Sequence, residues 1–297
     1  AQMANRWISD RKGPIFMWFH TYDVHGPLRR WSDVSTAENW EREPENLGQI
    51  PNYQQIGGIS DPDFYVQRYA DAVEYVDQQV GTILDTLEES GRLENAIIVL
   101  TADHGESFME RDLWFDHGTH ATEEQLHVPL LIRFPQGYRG GTQADELVGL
   151  MDLAPTVLEV LGLEPLGSAD GVSLESAGAG HAVLMGESSH CKGKQEVILD
   201  CTPHGVGGKE LAARSTALTV IHESEADDWI VYDRETDPTE THRIEEPEVP
   251  EGIALRLQGM RSKVVLLQAD SEALEMEPIS EEEQETQEQL EALGYTE

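Results

Sequence analysis

Lysine is almost missing from this chain: 5 of its 297 residues are Lys, beside 15 Arg. Against these 20 bases stand 57 Asp and Glu, for a formal charge of −37. No basic face can be assembled from so few cations, which excludes duplex nucleic acid and an anionic membrane surface as partners. Cysteine is scarce too. Cys191 and Cys201 cannot form a disulfide framework. Apolar runs such as Ala96–Leu100 fall far short of the roughly 20 residues that span a bilayer, and the polar stretch after Ala1 does not read as a signal peptide.

What is present supports a folded domain. The chain is 39% hydrophobic with 6 Trp, enough to bury a core, so a disordered chain is excluded. The acidity is spread throughout. Residues 270–297 carry 11 acids and no base, yet 46 acids against 20 bases remain without them. A charge of this size suits molar salt, where a Debye length of about 3 Å screens self-repulsion. The composition therefore points to a halophilic source.

Hydrophobic periodicity gives the layout. Gly13–His20 is a compact apolar run that predicts a buried strand. Residues 30–60 are polar and aperiodic and read as a surface excursion. From about Asp63 to Glu89, Val66, Tyr69, Val73, Val76, Val80, Ile83 and Leu87 make one helical stripe, with Asp61 and Pro62 at its start and Gly91 beyond its end. Asn95–Glu106 and His127–Phe134 read as strands and Asp152–Leu163 as a short helix, with Asp152 its cap. This order predicts an α/β layered domain with a largely parallel sheet over residues 1–170. Beyond it, residues 171–297 read as a subdomain of short antiparallel strands, followed by helices at 249–267 and 281–293.

In open α/β sheets, sites form at the carboxyl ends of strands. Asp103-His104-Gly105 follows one predicted strand, and His25 follows another through a short loop. A carboxylate beside an imidazole is a reasonable pair of metal ligands. Read singly, Asp103-His104, His25 and His117 are better explained as turn or loop residues. His20 reads as structural, and His120 as a neighbour of His117 without a role.

Read in order, five blocks resemble the sulfatase family of the alkaline phosphatase superfamily: "FMWFHTYDVHGP", "YADAVEYVDQQVGTILDTLEESGRLENAIIVLTADHGE", "FDHGTHATEEQLHVPLLIRFP", "LMDLAPTVLEVLGL" with "DGVSL", and "WIVYDRETDPTE". The resemblance implies an alkaline-phosphatase-like α/β/α fold and hydrolysis of sulfate monoesters by metal-assisted covalent catalysis. It implies that Asp103 and His104 bind a divalent cation, Ca²⁺ in most sulfatases, and Mn²⁺ or Zn²⁺ in phosphodiesterase-like relatives. His25 corresponds to the histidine that contacts the substrate anion and assists the leaving oxygen. His117 stands where the family has a Lys or His on the same anion. A metal and imidazolium donors placed where charge develops would stabilise the transition state. The implied partner is a small-molecule or saccharide sulfate ester. Phosphodiester or phosphonate ester hydrolysis, and a non-catalytic relative, stay open as alternatives.

One element of the family pattern is not found. The nucleophile lies in C/S-x-P-x-R, and the two stretches nearest to it, at Ser60 and Cys201, do not end in Arg. Cys201 also falls on the wrong side of every other block. The expectation is therefore a C-terminal half to two-thirds of a sulfatase, with N-terminal strands, the nucleophile and two Asp ligands supplied by a missing N-terminal segment, and a chain inert on its own.

The charge makes one prediction directly. The melting temperature should rise strongly between about 0.1 M and about 2 M KCl, because screening removes the self-repulsion of the folded chain. Thermal denaturation followed by circular dichroism checks it, and an unchanged midpoint would discard the halophilic reading.

Overall fold

The computed structural model describes residues 1–26, 50–51, 54–56, 58–112, 114–176, 178–188, 210–223 and 228–273. The proposed helix at 281–293, both cysteines and most of the polar excursion at 30–60 lie outside the described residues.

Helix α1 (Gln2–Asp10) packs against α2 (Pro62–Glu89), with Ile8 buried beside Ile83 and Leu87. Asp61 caps α2 by accepting a hydrogen bond from the Asp63 amide at 3.1 Å, and Pro62 occupies the first turn. The buried face differs from the predicted stripe in the first half of the helix. Val66 and Val73 are exposed, while Phe64, Tyr65, Arg68 and Ala72 are buried. Phe64 and Tyr65 carry more apolar area than the valines and turn toward Ile50, Ile59 and Phe115, and that larger burial sets the rotation of the helix. The Tyr65 hydroxyl donates to the Ile59 carbonyl at 2.8 Å and accepts from the Ile56 amide at 3.2 Å.

The Gly13–His20 run is extended but pairs with no strand among the described residues, contrary to the predicted buried strand. Its alternation is nevertheless strand-like. Ile15 and Met17 pack on the α1–α2 core, while Phe16 and Trp18 are 82% and 77% exposed. Arg92 anchors its start, donating to the carbonyls of Arg11 at 2.6 Å and Gly13 at 2.8 Å.

Strand β1 (Ile98–Thr101) leads into a hairpin of β2 (Ser107–Phe108) and β3 (Trp114–Asp116), then a one-turn helix α3 (Glu123–Leu126) and β4 (Leu130–Arg133). β4 lies antiparallel to β1, with Thr101 opposite Leu130. All described strand pairs are antiparallel, which corrects the largely parallel expectation. A parallel return needs a crossover to the far end of β1. Here the intervening hairpin and short helix stay at its carboxyl end, so the chain re-enters from there. Residues 102–129 are thereby confined to one edge.

After α4 (Leu153–Val160), β5 (Leu184–Glu187), β6 (Glu210–Arg214), β7 (Leu218–Glu223) and β8 (Asp228–Asp233) form a four-stranded antiparallel sheet in sequential order. α5 (Glu251–Ala273) covers one face, burying Leu257 against Leu211, Val220 and Val231. The other face packs Ala212, Ile221 and Tyr232 against Ala121, just before α3. Asp152 precedes α4 but does not cap it. Its carboxylate accepts from the Gly149 and Val172 amides at 2.8 and 2.7 Å and lies 2.8 Å from His181 Nε2.

A buried ion network joins the sheet to α3. Glu240 is fully buried, and its carboxylate accepts from Arg214 at 3.1 Å, from the Thr219 hydroxyl at 2.5 Å and from the Glu123 amide at 2.8 Å. Arg214 also pairs with Glu123, and Arg111 with Glu124 at 2.6 Å. Removing one member leaves buried charge uncompensated. Glu240→Ala should cost about 3 kcal/mol, and Glu240→Gln less because its single oxygen keeps some of the donors occupied. Urea denaturation measures both.

Candidate active site

The site grows from residues 102–121, confined to the edge where β1 ends. Gly105 makes the first turn possible. Its amide donates to the Gln125 carbonyl at 2.8 Å, and a Cβ there would sit 2.1 Å from the Glu124 carbonyl oxygen. This contact seats the Asp103–His104 loop on α3. The β2–β3 hairpin pairs Ser107 with Asp116, so the next residues outward, Glu106 and His117, face each other. The Glu106 carboxylate lies 3.5 Å from His117 Nδ1, and both side chains are mostly buried.

The structure brings three predicted histidines together. The rings of His104 and His117 stack at 4.0 Å between centroids. His25 stands edge-on to both, at 5.1 Å from His117 and 6.4 Å from His104. Asp103 is the more exposed member: its Oδ1 accepts from the His104 amide at 3.1 Å and lies 3.8 Å from His104 Nε2. His20 stays outside, exposed and against Tyr22 at 4.5 Å. Cys201 lies outside the described residues.

Two local contacts set the imidazole tautomers. His104 Nδ1–H donates to the Gly105 carbonyl at 2.7 Å, which leaves Nε2 as the lone-pair nitrogen of the neutral ring. His25 Nδ1–H donates likewise to the Gly26 carbonyl at 2.6 Å. A Nδ1–H held by a carbonyl is how a metal-binding histidine is oriented. Asp103 Oδ1 and His104 Nε2 are thus two donors of a kind that divalent cations take. Two donors are fewer than such ions take, and no group of three or more His, Cys, Asp or Glu suited to a metal occurs among the described residues.

The electrostatics oppose a permanent charge on His25. Burial lowers the His25 pKa; the Gly26 carbonyl raises it, the neighbouring His117 lowers it, and Glu106 raises it. Burial also raises the Tyr69 pKa, and Glu106 adds to that.

Glu106, Gln125 and Glu210 were not legible as site residues. Gln125 is buried, accepts from the His120 amide at 3.2 Å and donates to Ser107 Oγ at 2.8 Å, so one side chain joins the two histidine loops. The hairpin register would have exposed Glu106. Nothing in the sequence signals Gln125 or Glu210.

Residues 1–163 match the Sulfatase family. An N-acetylglucosamine-6-O-sulfatase of Bacteroides thetaiotaomicron is 30% identical over 185 residues, 61% of this chain and 32% of the relative. This chain thus spans about a third of that relative's length. A solved structure in complex with its substrate D-glucosamine-2-N,6-O-disulfate shares 25% identity, with a TM-score of 0.54 over 68% of this chain and 40% of that one. The phosphonate monoester hydrolase of Agrobacterium radiobacter matches in fold, with a TM-score of 0.63 at 21% identity over 90% of this chain and 59% of that one. The architecture is the alkaline-phosphatase-like α/β fold, carrying a small antiparallel sheet.

The lowered His25 pKa has a defined sign. Between the folded value and the ordinary one near 6.5, the unfolded chain holds more protons, so stability rises with pH through that window. The contribution is present above about pH 6.5 and lost as pH falls toward the folded value. NMR titration should place the His25 midpoint below the ordinary value, and His25→Asn should flatten the loss of stability between about pH 7 and about pH 5.

Proposed function

Because the chain belongs to the sulfatase family, we propose that it forms the metal-and-histidine half of a site that hydrolyses sulfate monoesters. The observation behind this reading is the convergence of His25, His104 and His117 within 6.4 Å. A sulfate ester gains negative charge on its leaving oxygen as the S–O bond breaks. His25, held through Nδ1 by the Gly26 carbonyl, would present Nε2 to that oxygen and, when it is the imidazolium that carries a proton on Nε2 as well, supply that proton. His117, backed by Glu106, would hold a non-bridging sulfate oxygen. Asp103 and His104 would hold the cation, which supplies Lewis-acid stabilisation of the anion when bound.

The sequence holds no C/S-x-P-x-R, and we assign the covalent nucleophile and the remaining metal ligands to polypeptide beyond these 297 residues. The sulfated glucosamines named in two of these matches suggest a sulfated sugar. A second reading, phosphonate or phosphate ester hydrolysis, draws on His104: Ca²⁺ prefers oxygen donors, whereas an imidazole nitrogen suits Zn²⁺ or Mn²⁺ better.

Residues 1–297 alone should not turn over aryl sulfates. A longer in-frame polypeptide that carries C/S-x-P-x-R should hydrolyse sulfate monoesters faster than phosphonate monoesters. In it, His25→Ala or His117→Ala should lower kcat by roughly 10²-fold or more. Preference for the phosphonate would favour the second reading. Turnover by residues 1–297 that is abolished by Cys201→Ser would overturn the assignment of the nucleophile.

A further inference from the structure

We propose that Glu210, on the four-stranded sheet, is a positioning residue for His117. The inference rests on the reading of His117 as an anion contact, but its geometry stands apart from that reading. Glu210 opens β6 and is almost fully buried. A carboxylate so far from water is tolerated only when its oxygens are engaged. Both reach across to adjacent residues of the histidine loop: Oε1 lies 3.1 Å from His120 Nδ1, and Oε2 accepts from the Ala121 amide at 2.9 Å. Two bonds to neighbouring residues fix the direction of a segment as well as its place.

The base of this clamp is itself held. The Glu210 amide donates to Ser188 Oγ at 3.0 Å, and its carbonyl accepts from the Ser188 amide at 2.9 Å. On the loop side, Gln125 holds the His120 amide. The segment at His120–Ala121 is thus gripped from the sheet by Glu210 and from α3 by Gln125. Between it and His117 lie Gly118, at φ +79°, and the buried Thr119. Apolar packing of Ala212 on Ala121 would join the surfaces without these bonds. The carboxylate adds orientation, and orientation is what an anion-binding imidazole requires.

The stack of His104 on His117 gives a readout that needs no substrate, because each ring shifts the other's proton resonances. In the full 297-residue chain, Glu210→Ala should abolish this ring-current shift while the amides of β6–β8 stay protected from exchange. His120→Gln, which leaves the bond to the Ala121 amide, should reduce it partly, and Glu210→Gln should retain most of it. An unaltered shift in Glu210→Ala with an intact sheet overturns the proposal. Should Glu210→Ala lose the sheet, His120→Gln decides by the same signals, and an unaltered shift there overturns it equally. Titration with inorganic sulfate separates this inference from its premise. Sulfate should move the His25 and His117 ring signals in the unsubstituted chain, and Glu210→Ala should weaken its binding roughly tenfold. If sulfate moves neither ring in the unsubstituted chain, the anion site is wrong while the ring-current result still tests the clamp.

Discussion

The structure depends on one buried carboxylate. Glu240 gathers Arg214 and Thr219 from two strands of the small sheet and the Glu123 amide from α3. α3 has no side-chain cap of its own at Thr122, so a residue 117 positions away in sequence completes its first turn. From α3 the constraint passes to Gln125, whose carbonyl seats Gly105 and whose side chain holds His120 and Ser107. His104 and His117 occupy their places because both their loops hang from this short helix. Breaking the network would loosen the sheet and the site together.

In so acidic a protein, cationic groups for an anionic substrate cannot come from a lysine-rich surface. Permanently charged guanidiniums near the site are committed elsewhere: Arg111 faces Glu124 and Tyr232, and Arg214 faces Glu123 and Glu240. In the proposed site, imidazoles take that role instead. Burial disfavours the charged form of His25, and the Glu106 carboxylate within the cluster works the other way.

Much of the layout could be read from the chain. The cap and length of α2 follow from Asp61, Pro62 and the apolar repeat, and the later strands from their alternation. β6 escaped because "ELAAR" has helix-forming residues and no strand signature, and its strand state comes from pairing with β5 and β7. The rotation of α2 depended on which large side chains found partners, a tertiary choice that periodicity cannot make. The strand sense failed for a similar reason: order along the chain does not reveal whether a connection crosses the sheet or stays at one end. At the site, the family resemblance singled out His25, Asp103, His104 and His117, and the structure places the three histidine rings together. The supporting Gln125 and Glu210 are ordinary polar residues whose importance is wholly a matter of burial.

The open face of the Gly13–His20 segment ties solubility to salt. Phe16 and Trp18 offer apolar surface beside backbone that no described strand pairs, the kind of edge through which chains associate. Mutual repulsion between molecules of charge −37 opposes that encounter in dilute buffer. The salt that relieves repulsion within one molecule also removes it between molecules. If the melting temperature rises with salt as predicted, the salt that favours the folded chain also favours its association through these two aromatic side chains.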